Sequence, residues 1–431
     1  MGIALVIMFF VFLFLGMPIG FVLGVVAVVG LIGVSLESPT FLLSVAPRSF
    51  FEGINSFPLM AMPFFTLAGE IMNEVGITER IINFCNLLVG RLRGGLAHVN
   101  IVASIIFAGL TGSAVADAAA LGSVLIPGMV KEKYDKTFAA AVVASASIIG
   151  PIIPPSIIMV IYGSLMGVSI AGMFAAGIIP GLIIGILLMI VARFMSVKRN
   201  YPTHHVDFSI PVVFKAFKEV IVALLMPVII LGGILAGIFT PTEAAAIAVF
   251  YAGITGFFYF KTLTFQKLAA MLKRTAILNG VILFIISTST ILGWLIARER
   301  VPQEIVSMIF DITRNRYLIL LIINVVFLIA GCFMETAPAL IILAPILAPL
   351  AINAGVDPLH VGIIITINLN IGLITPPVGA CLFVVCSIGK ISLWEVSKEI
   401  WPFFIALFVA LMIITYVPYV VLVVPRFLGF I

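Results

Sequence analysis

The sequence predicts an all-α integral membrane protein built from two inverted repeats, each with a re-entrant hairpin and a broken helix. Three observations carry that prediction. Of 431 residues, 63% are hydrophobic and only 10% charged, with a mean hydropathy of +1.33. Long apolar runs recur from one end to the other. Two stretches carry polar turns and Pro-Pro pairs in the same order. A soluble domain carries about 25% charged residues and needs a polar coat around its core. This chain lacks the residues for one, so lipid is the solvent for most of its surface. Its many Gly and Pro residues are tolerated in membrane helices, and the alternation of a membrane barrel is absent.

The net charge of +5 lies mostly in short loops between apolar runs, the pattern of the positive-inside rule rather than of a nucleic-acid surface. Cys85, Cys332, Cys381 and Cys386 have no zinc-ligand spacing with a histidine and read as small apolar fillers. No Walker A, Gly-x-Ser-x-Gly or His-Glu-x-x-His motif occurs, and His98, His204, His205 and His360 do not cluster. ATP binding by a P-loop is excluded, and an intramembrane enzyme, the rival class, has no catalytic constellation to stand on.

Taken in order, about nine complete crossings are expected, near 3–33, 57–75, 136–168, 171–195, 217–239, 241–260, 275–297, 358–389 and 401–424. The first run is too long for a signal-peptide core and lacks a basic leader. Shorter polar stretches at 38–54, 78–93 and 302–315 read as interfacial helices. The basic segment from Lys198 to Lys218 reads as a cytoplasmic link, and Lys261–Arg274 falls on the same side. Thr240-Pro-Thr-Glu243 reads as a helix start capped by Glu243, and Glu70 as the close of an interfacial helix.

Two regions, 96–130 and 317–352, are long enough for paired half-depth helices around a polar midpoint: Thr111-Gly-Ser-Ala-Val-Ala-Asp117 and Met334-Glu-Thr-Ala-Pro338. A polar turn at membrane depth is allowed only under cover of protein or a water-filled cavity. A helix interrupted by Gly150-Pro-Ile-Ile-Pro-Pro-Ser156 follows the first, and one interrupted by Gly372-Leu-Ile-Thr-Pro-Pro377 follows the second. Each proline removes an amide donor and drives the residue before it out of the helical region. Gly109 and Gly331, Pro127 and Pro349, Asp135 and Asp357, Gly150 and Gly372, and Pro154 and Pro376 are all separated by 222 positions. An odd number of crossings between the copies makes them inverted. Paired broken segments point to a transporter's substrate site.

The chemistry expected there is cation and anion binding. Carbonyls freed at the breaks and oxygens of the turns suit a monovalent cation such as Na⁺. Gly112, Ser113, Gly150 and Pro151 form one candidate site, and Glu335, Thr336, Gly372 and Thr375 a second. Helix N-termini after each turn aim partial positive charge at an anionic substrate. Candidate substrate contacts are Asp117, Ser156, Arg298, Asn368 and Asn370. Asp117 also reads as a helix-start carboxylate, Arg298 as a side chain reaching lipid headgroups, and the prolines as simple packing kinks. No cofactor is expected besides Na⁺ as coupling ion.

Several segments carry a family resemblance: Phe57-Pro-Leu-Met-Ala-Met-Pro-Phe-Phe65 leading to Gly69-Glu70, Gly109-Leu-Thr-Gly-Ser-Ala-Val-Ala-Asp117, Ile152-Ile-Pro-Pro-Ser156, Gly237-Ile-Phe-Thr-Pro-Thr-Glu243 and Ile374-Thr-Pro-Pro-Val-Gly379. On these the chain resembles the large membrane (M) subunit of tripartite ATP-independent periplasmic (TRAP) transporters, over essentially its whole length. The resemblance implies multi-pass residence in the bacterial inner membrane and Na⁺-coupled uptake of a carboxylate substrate, a sialic acid or a C4-dicarboxylate. It implies delivery by a periplasmic substrate-binding protein, pairing with a separate small membrane (Q) subunit, and elevator-type motion of hairpins and broken helices against a scaffold. Glu335 stands where the resemblance leads one to expect Asp. The expected blocks are 1–56 (scaffold helix and interfacial arm), 57–168 (first repeat), 169–274 (scaffold helices and cytoplasmic linker), 275–392 (second repeat) and 393–431 (C-terminal span). A stand-alone Na⁺/dicarboxylate symporter or Na⁺/H⁺ antiporter of related hairpin architecture is the alternative.

Overall fold

Backbone in lipid must satisfy its own hydrogen bonds, and the apolar runs fold accordingly into helices. The computed structural model describes residues 2–35, 41–203, 210–299, 304, 307–310 and 313–431, and among these there is no β-strand. Among the described residues, seven helices are long and apolar enough to cross a membrane, or up to nine if each of two bent pairs is one span.

The single crossing expected over 3–33 is two helices, α1 (Gly2–Phe14) and α2 (Ile19–Ser35). Gly16 turns left-handed at φ 82° and Pro18 follows, which ends the first helix. A Cβ on Gly30 would meet Leu5 at 3.2 Å, so α1 folds back along α2. Helices also form at α3 (Phe41–Ile54) and α5 (Ile77–Val89), where interfacial segments are expected, with α4 (Ala61–Glu74) between them. The expected interfacial helix at 302–315 falls mostly outside the described residues, as does part of the 198–218 link.

The first repeat comprises α6 (Gly95–Thr111), α7 (Ala114–Lys131), α8 (Lys136–Ser147) and α9 (Ile157–Met166). Then come α10 (Ile170–Lys198), α11 (Ile210–Leu235), α12 (Pro241–Ile254) and α13 (Phe265–Arg298). Thr240 and Glu243 start α12 through a reciprocal capping box, with Glu243 accepting from the Thr240 amide at 2.8 Å. The second repeat comprises α14 (Arg316–Phe333), α15 (Thr336–Asn353), α16 (Pro358–Gly372) and α17 (Ala380–Gly389). A 111° bend leads to α18 (Leu393–Glu399). The expected last span is broken by 61° between α19 (Trp401–Tyr416) and α20 (Pro418–Phe427), because Pro418 cannot continue the ladder.

The 222-residue register extends to the helix ends: α7 and α15 start and stop in step, and α8 and α16 start in step behind Asp135 and Asp357. Packing is reciprocal as well. The second arm of each hairpin lies against the short helix of the other repeat, α7 on α17 and α15 on α9. Tyr162 of α9 donates to the Pro358 carbonyl at 3.0 Å, and its ring covers Gly362, where any Cβ would collide with it.

Helices α2 and α3 pack on α13, α4 on α12 and α13, and α11 on α5 and α12, while α5 and α4 also pack on α6 and α13 on α15. Helix α10 packs instead on α6, α16, α19 and α20, so by packing it goes with the hairpins rather than with α11–α13. Beyond α10, Arg199 ties three segments together. It pairs with Glu399 at 2.6 Å and Asp135 at 3.1 Å, and Tyr201 donates to the same Asp135 carboxylate at 2.7 Å. Burial works against the Arg199 charge, but hydrogen bonds to Tyr201 and Glu399 outweigh it and raise the guanidinium pKa. Replacing Arg199 by Met leaves Glu399 mostly covered and unpaired, which is expected to cost about 1–3 kcal/mol. A melting curve in detergent should fall by several degrees for Arg199→Met and stay unchanged for Arg48→Met, whose partner Glu52 is exposed.

Candidate functional site

Each hairpin turn is shaped by the residues at its tip. Gly112 ends α6 at φ 62°, a conformation costly for other residues. A Cβ there would stand 2.6 Å from the Pro155 carbonyl, so the turn is pressed onto its own helix break. Ser113 caps α7 by accepting from the Ala116 amide at 3.4 Å. In the second hairpin Glu335 holds the matching N-cap position but makes no capping hydrogen bond, which leaves its carboxylate uncommitted. Here Gly331 of α14 lies on Gly372, backbone to backbone, with a Cβ on Gly331 only 3.0 Å from the Gly372 Cα. The Val378 amide donates to the Cys332 carbonyl at 3.3 Å across the same seam. The Pro154–Pro155 and Pro376–Pro377 bonds are both cis.

Between the tips lies a cavity of about 410 Å³. Thr111, Gly112 and Ser113 line it from the first tip, Glu335 and Thr336 from the second, Pro151 from the first break, and Asn370 and Leu373 from the second. Helix α4 adds Thr66, Glu70 and Asn73, and α13 adds Asn279. Glu70 is therefore not the close of an interfacial helix. It sits one turn inside α4 on the cavity wall, 3.9 Å from Arg274. Sequence reasoning missed Thr66, Asn73 and Asn279. The available signal was polarity inside an apolar helix, strongest at Asn279.

The remaining sequence-predicted residues are not on this wall. Asp117 is fully buried behind the first tip, accepts from the Thr111 hydroxyl, and turns its other oxygen toward Gly150 without a hydrogen-bond partner. Gly150 is bare because any Cβ would collide with that carboxyl group. Ser156 bridges the first break, donating to the Pro151 carbonyl at 2.6 Å and capping α9. Thr375 donates to Ile371 at 2.8 Å, and Gly372 is covered by Gly331. Asn368 donates to Asn324, which donates to Thr415 at 3.0 Å, a chain tying α16 to α14 and α19. The structure does not bring Arg298 to the cavity. It lies 16 residues, about 24 Å, along α13 from the lining residue Ile282, with its guanidinium 5.8 Å from the Trp294 ring.

The wall is rich in acceptors. Thr66 gives its hydroxyl hydrogen to Met62 and Thr111 gives its own to Asp117. Glu70 and Glu335 accept when ionised, and no Lys, Arg or His lines the cavity among the described residues. Such a wall suits a hard cation directly, and an anion only in company with cations.

A polytopic helical chain with two matched halves closing on one polar cavity at paired helix breaks is a membrane transport protein. The chain belongs to the family described as "Tripartite ATP-independent periplasmic transporter, DctM component", whose model matches residues 6–420, and it is a multi-pass protein of the bacterial inner membrane. It is 42% identical over 419 residues, 97% of each chain, to the sialic acid TRAP transporter large permease protein SiaM of Vibrio cholerae. It is 38% identical over 400 residues, 93% of each chain, to the C4-dicarboxylate TRAP transporter large permease protein DctM of Pseudomonas aeruginosa. It is 40% identical to the isethionate TRAP transporter permease protein DctMQ of Oleidesulfovibrio alaskensis, covering 95% of this chain and 64% of that one. The crystal structure of the Alcanivorax borkumensis YdaH transporter shares the fold, with a TM-score of 0.63, 13% identity and 88% of each chain covered.

The Gly331–Gly372 contact leaves no room for a side chain. Gly372→Val is expected to lower substrate uptake at least about tenfold at unchanged abundance in the membrane fraction. Gly128→Ala, which faces open space, should leave uptake unchanged in the same assay.

Proposed function

We propose that this chain is the large permease subunit that carries a carboxylate substrate across the inner membrane by Na⁺-coupled secondary transport. The observation that supports this most is the shared cavity, where both hairpin tips and both breaks offer oxygens and, among the described residues, no cationic side chain lines the wall. A carboxylate entering it needs counter-charge. Na⁺ held by backbone carbonyls, hydroxyls and the Glu335 carboxylate supplies that charge, and the N-termini of α7 and α15 add partial positive charge. The named substrates of the relatives, sialic acid, C4-dicarboxylate and isethionate, are all acids that ionise at neutral pH. The substrate read here is a sialic acid or a C4-dicarboxylate. A periplasmic binding protein presents it, and a small Q subunit completes the membrane part. Catalysis has no part in this reading.

In the same proposal the hairpins are re-entrant and the repeats inverted. Helices α6–α10 and α14–α20 move as one body against α1–α5 and α11–α13, in an elevator motion. The packing of α10 on α6, α16, α19 and α20 supports counting it with the moving body. The paired Gly-Pro breaks then serve as joints whose free carbonyls are covered by the hairpin tips.

Uptake into proteoliposomes holding this chain, the Q subunit and the binding protein should collapse to background when choline replaces Na⁺. Equal rates in the two media would refute the coupling. Topology is checked by Lys131→Cys and Asp357→Cys, which should react with an impermeant maleimide from opposite sides of the membrane. Labelling of both from one side would remove the inverted repeat.

A further inference from the structure

After the second break the chain makes an elbow at one face of the membrane. Lys390 turns left-handed at φ 50°, and α18 leaves α17 at 111°. A helix set across a spanning one lies along the membrane surface. Ser392 and Glu395 fix its start through a capping box. Ile400 keeps helical angles at φ −76° and ψ −17°, so the helical stagger of side chains carries through into α19. Trp394, Lys398 and Trp401, spaced four and three apart, therefore share one face. Both tryptophans are exposed, at 70% and 58%, and they are two of the chain's three. Val396, Ile400 and Phe403 on the other side are buried, and α18 packs on α8.

The chemistry of the outer face is that of the headgroup layer. Indole carries an apolar ring and an N–H and settles where hydrocarbon meets water. The Lys398 ammonium stands 4.9 Å from the Trp394 ring, and Lys390 is exposed at the bend. The nearby acids are committed to protein. Glu395 accepts from the Ser392 amide at 2.9 Å and from its hydroxyl at 2.7 Å, and Glu399 pairs with Arg199 at 2.6 Å. Arg199 also joins the elbow to Asp135, in the segment that carries exposed Lys131, Lys133 and Lys136. The elbow thus lies where α10 ends, the side that the basic link after Lys198 assigns to the cytoplasm. We propose that Trp394, Lys398 and Trp401, with Lys390, form a docking surface for anionic phospholipid headgroups of the cytoplasmic leaflet. The tryptophans set the depth, and the lysines favour lipids of net negative charge over zwitterionic ones. Through Arg199 the same contact holds the base of the first hairpin at that depth. The surface serves whatever the cavity carries.

The complex of this chain with its Q subunit is reconstituted in phosphatidylcholine vesicles holding a trace of pyrene-labelled phosphatidylglycerol or, in parallel, of pyrene-labelled phosphatidylcholine. Energy transfer from tryptophan to pyrene is measured, and the elbow's share is the part lost in Trp394→Phe/Trp401→Phe. That share should be at least about twofold larger with the labelled phosphatidylglycerol. In Lys390→Gln/Lys398→Gln the two labels should give equal transfer, whereas Lys390→Arg/Lys398→Arg should keep the excess. Lys273→Gln, an exposed cation of α13 away from the elbow, should keep it too. Equal transfer to the two lipids in the wild-type complex overturns the inference. An excess that survives Lys390→Gln/Lys398→Gln, or that the arginine variant loses, overturns the lysine charges as its cause and the inference with them. No transfer from these tryptophans to either lipid means that protein covers the face, and overturns it as well. Each of these results leaves the Na⁺ coupling of uptake to its own assay.

Discussion

The structure depends on covering backbone that helices cannot satisfy. Prolines at 151, 154 and 155, and at 376 and 377, remove amide donors from the middle of two helices. Bare carbonyls at membrane depth are not tolerated against lipid. The solution is glycine: Gly112 lets the first turn lie against the Pro155 carbonyl, and Gly331 lets α14 lie on Gly372. Removing the side chain is what allows a polar turn and a broken helix to share one small volume. The cavity exists because those two seams meet.

That constraint also sorts the polar residues by task. Ser156, Asn368 and Asp117 face inward and hold the breaks, the helices and the first tip in place. Glu335, Asn370 and Asn279 line the cavity instead. Residues of similar polarity thus divide by where helix packing places them rather than by residue type.

The two repeats agree in length and register but not in detail. Ser113 caps its helix while Glu335, at the matching position, does not. Gly109 fits against Pro227 of α11, whereas its counterpart Gly331 fits against its own repeat's break. The first hairpin meets α11 at that glycine, while the second meets α13 through α15. Matched halves that differ at their tips give one cavity with two unlike walls.

Much was legible in the residues alone. Composition decided the solvent, and the Gly and Pro positions decided the hairpins, the breaks and their 222-residue register, because proline and glycine act on the local backbone wherever they stand. The same local rule marked Thr240–Glu243 as a cap, which it is. Pro18 and Pro418 were equally visible, yet hydrophobicity summed over a window concealed the breaks they cause. What only the tertiary structure decided is which side chains share the cavity. Glu70, Asn279 and the second tip lie far apart in sequence and meet through helix packing, while Arg298 is on the right helix but about 24 Å too far along it. Local chemistry sets where a helix must break. Only the packing of distant helices sets what faces the gap.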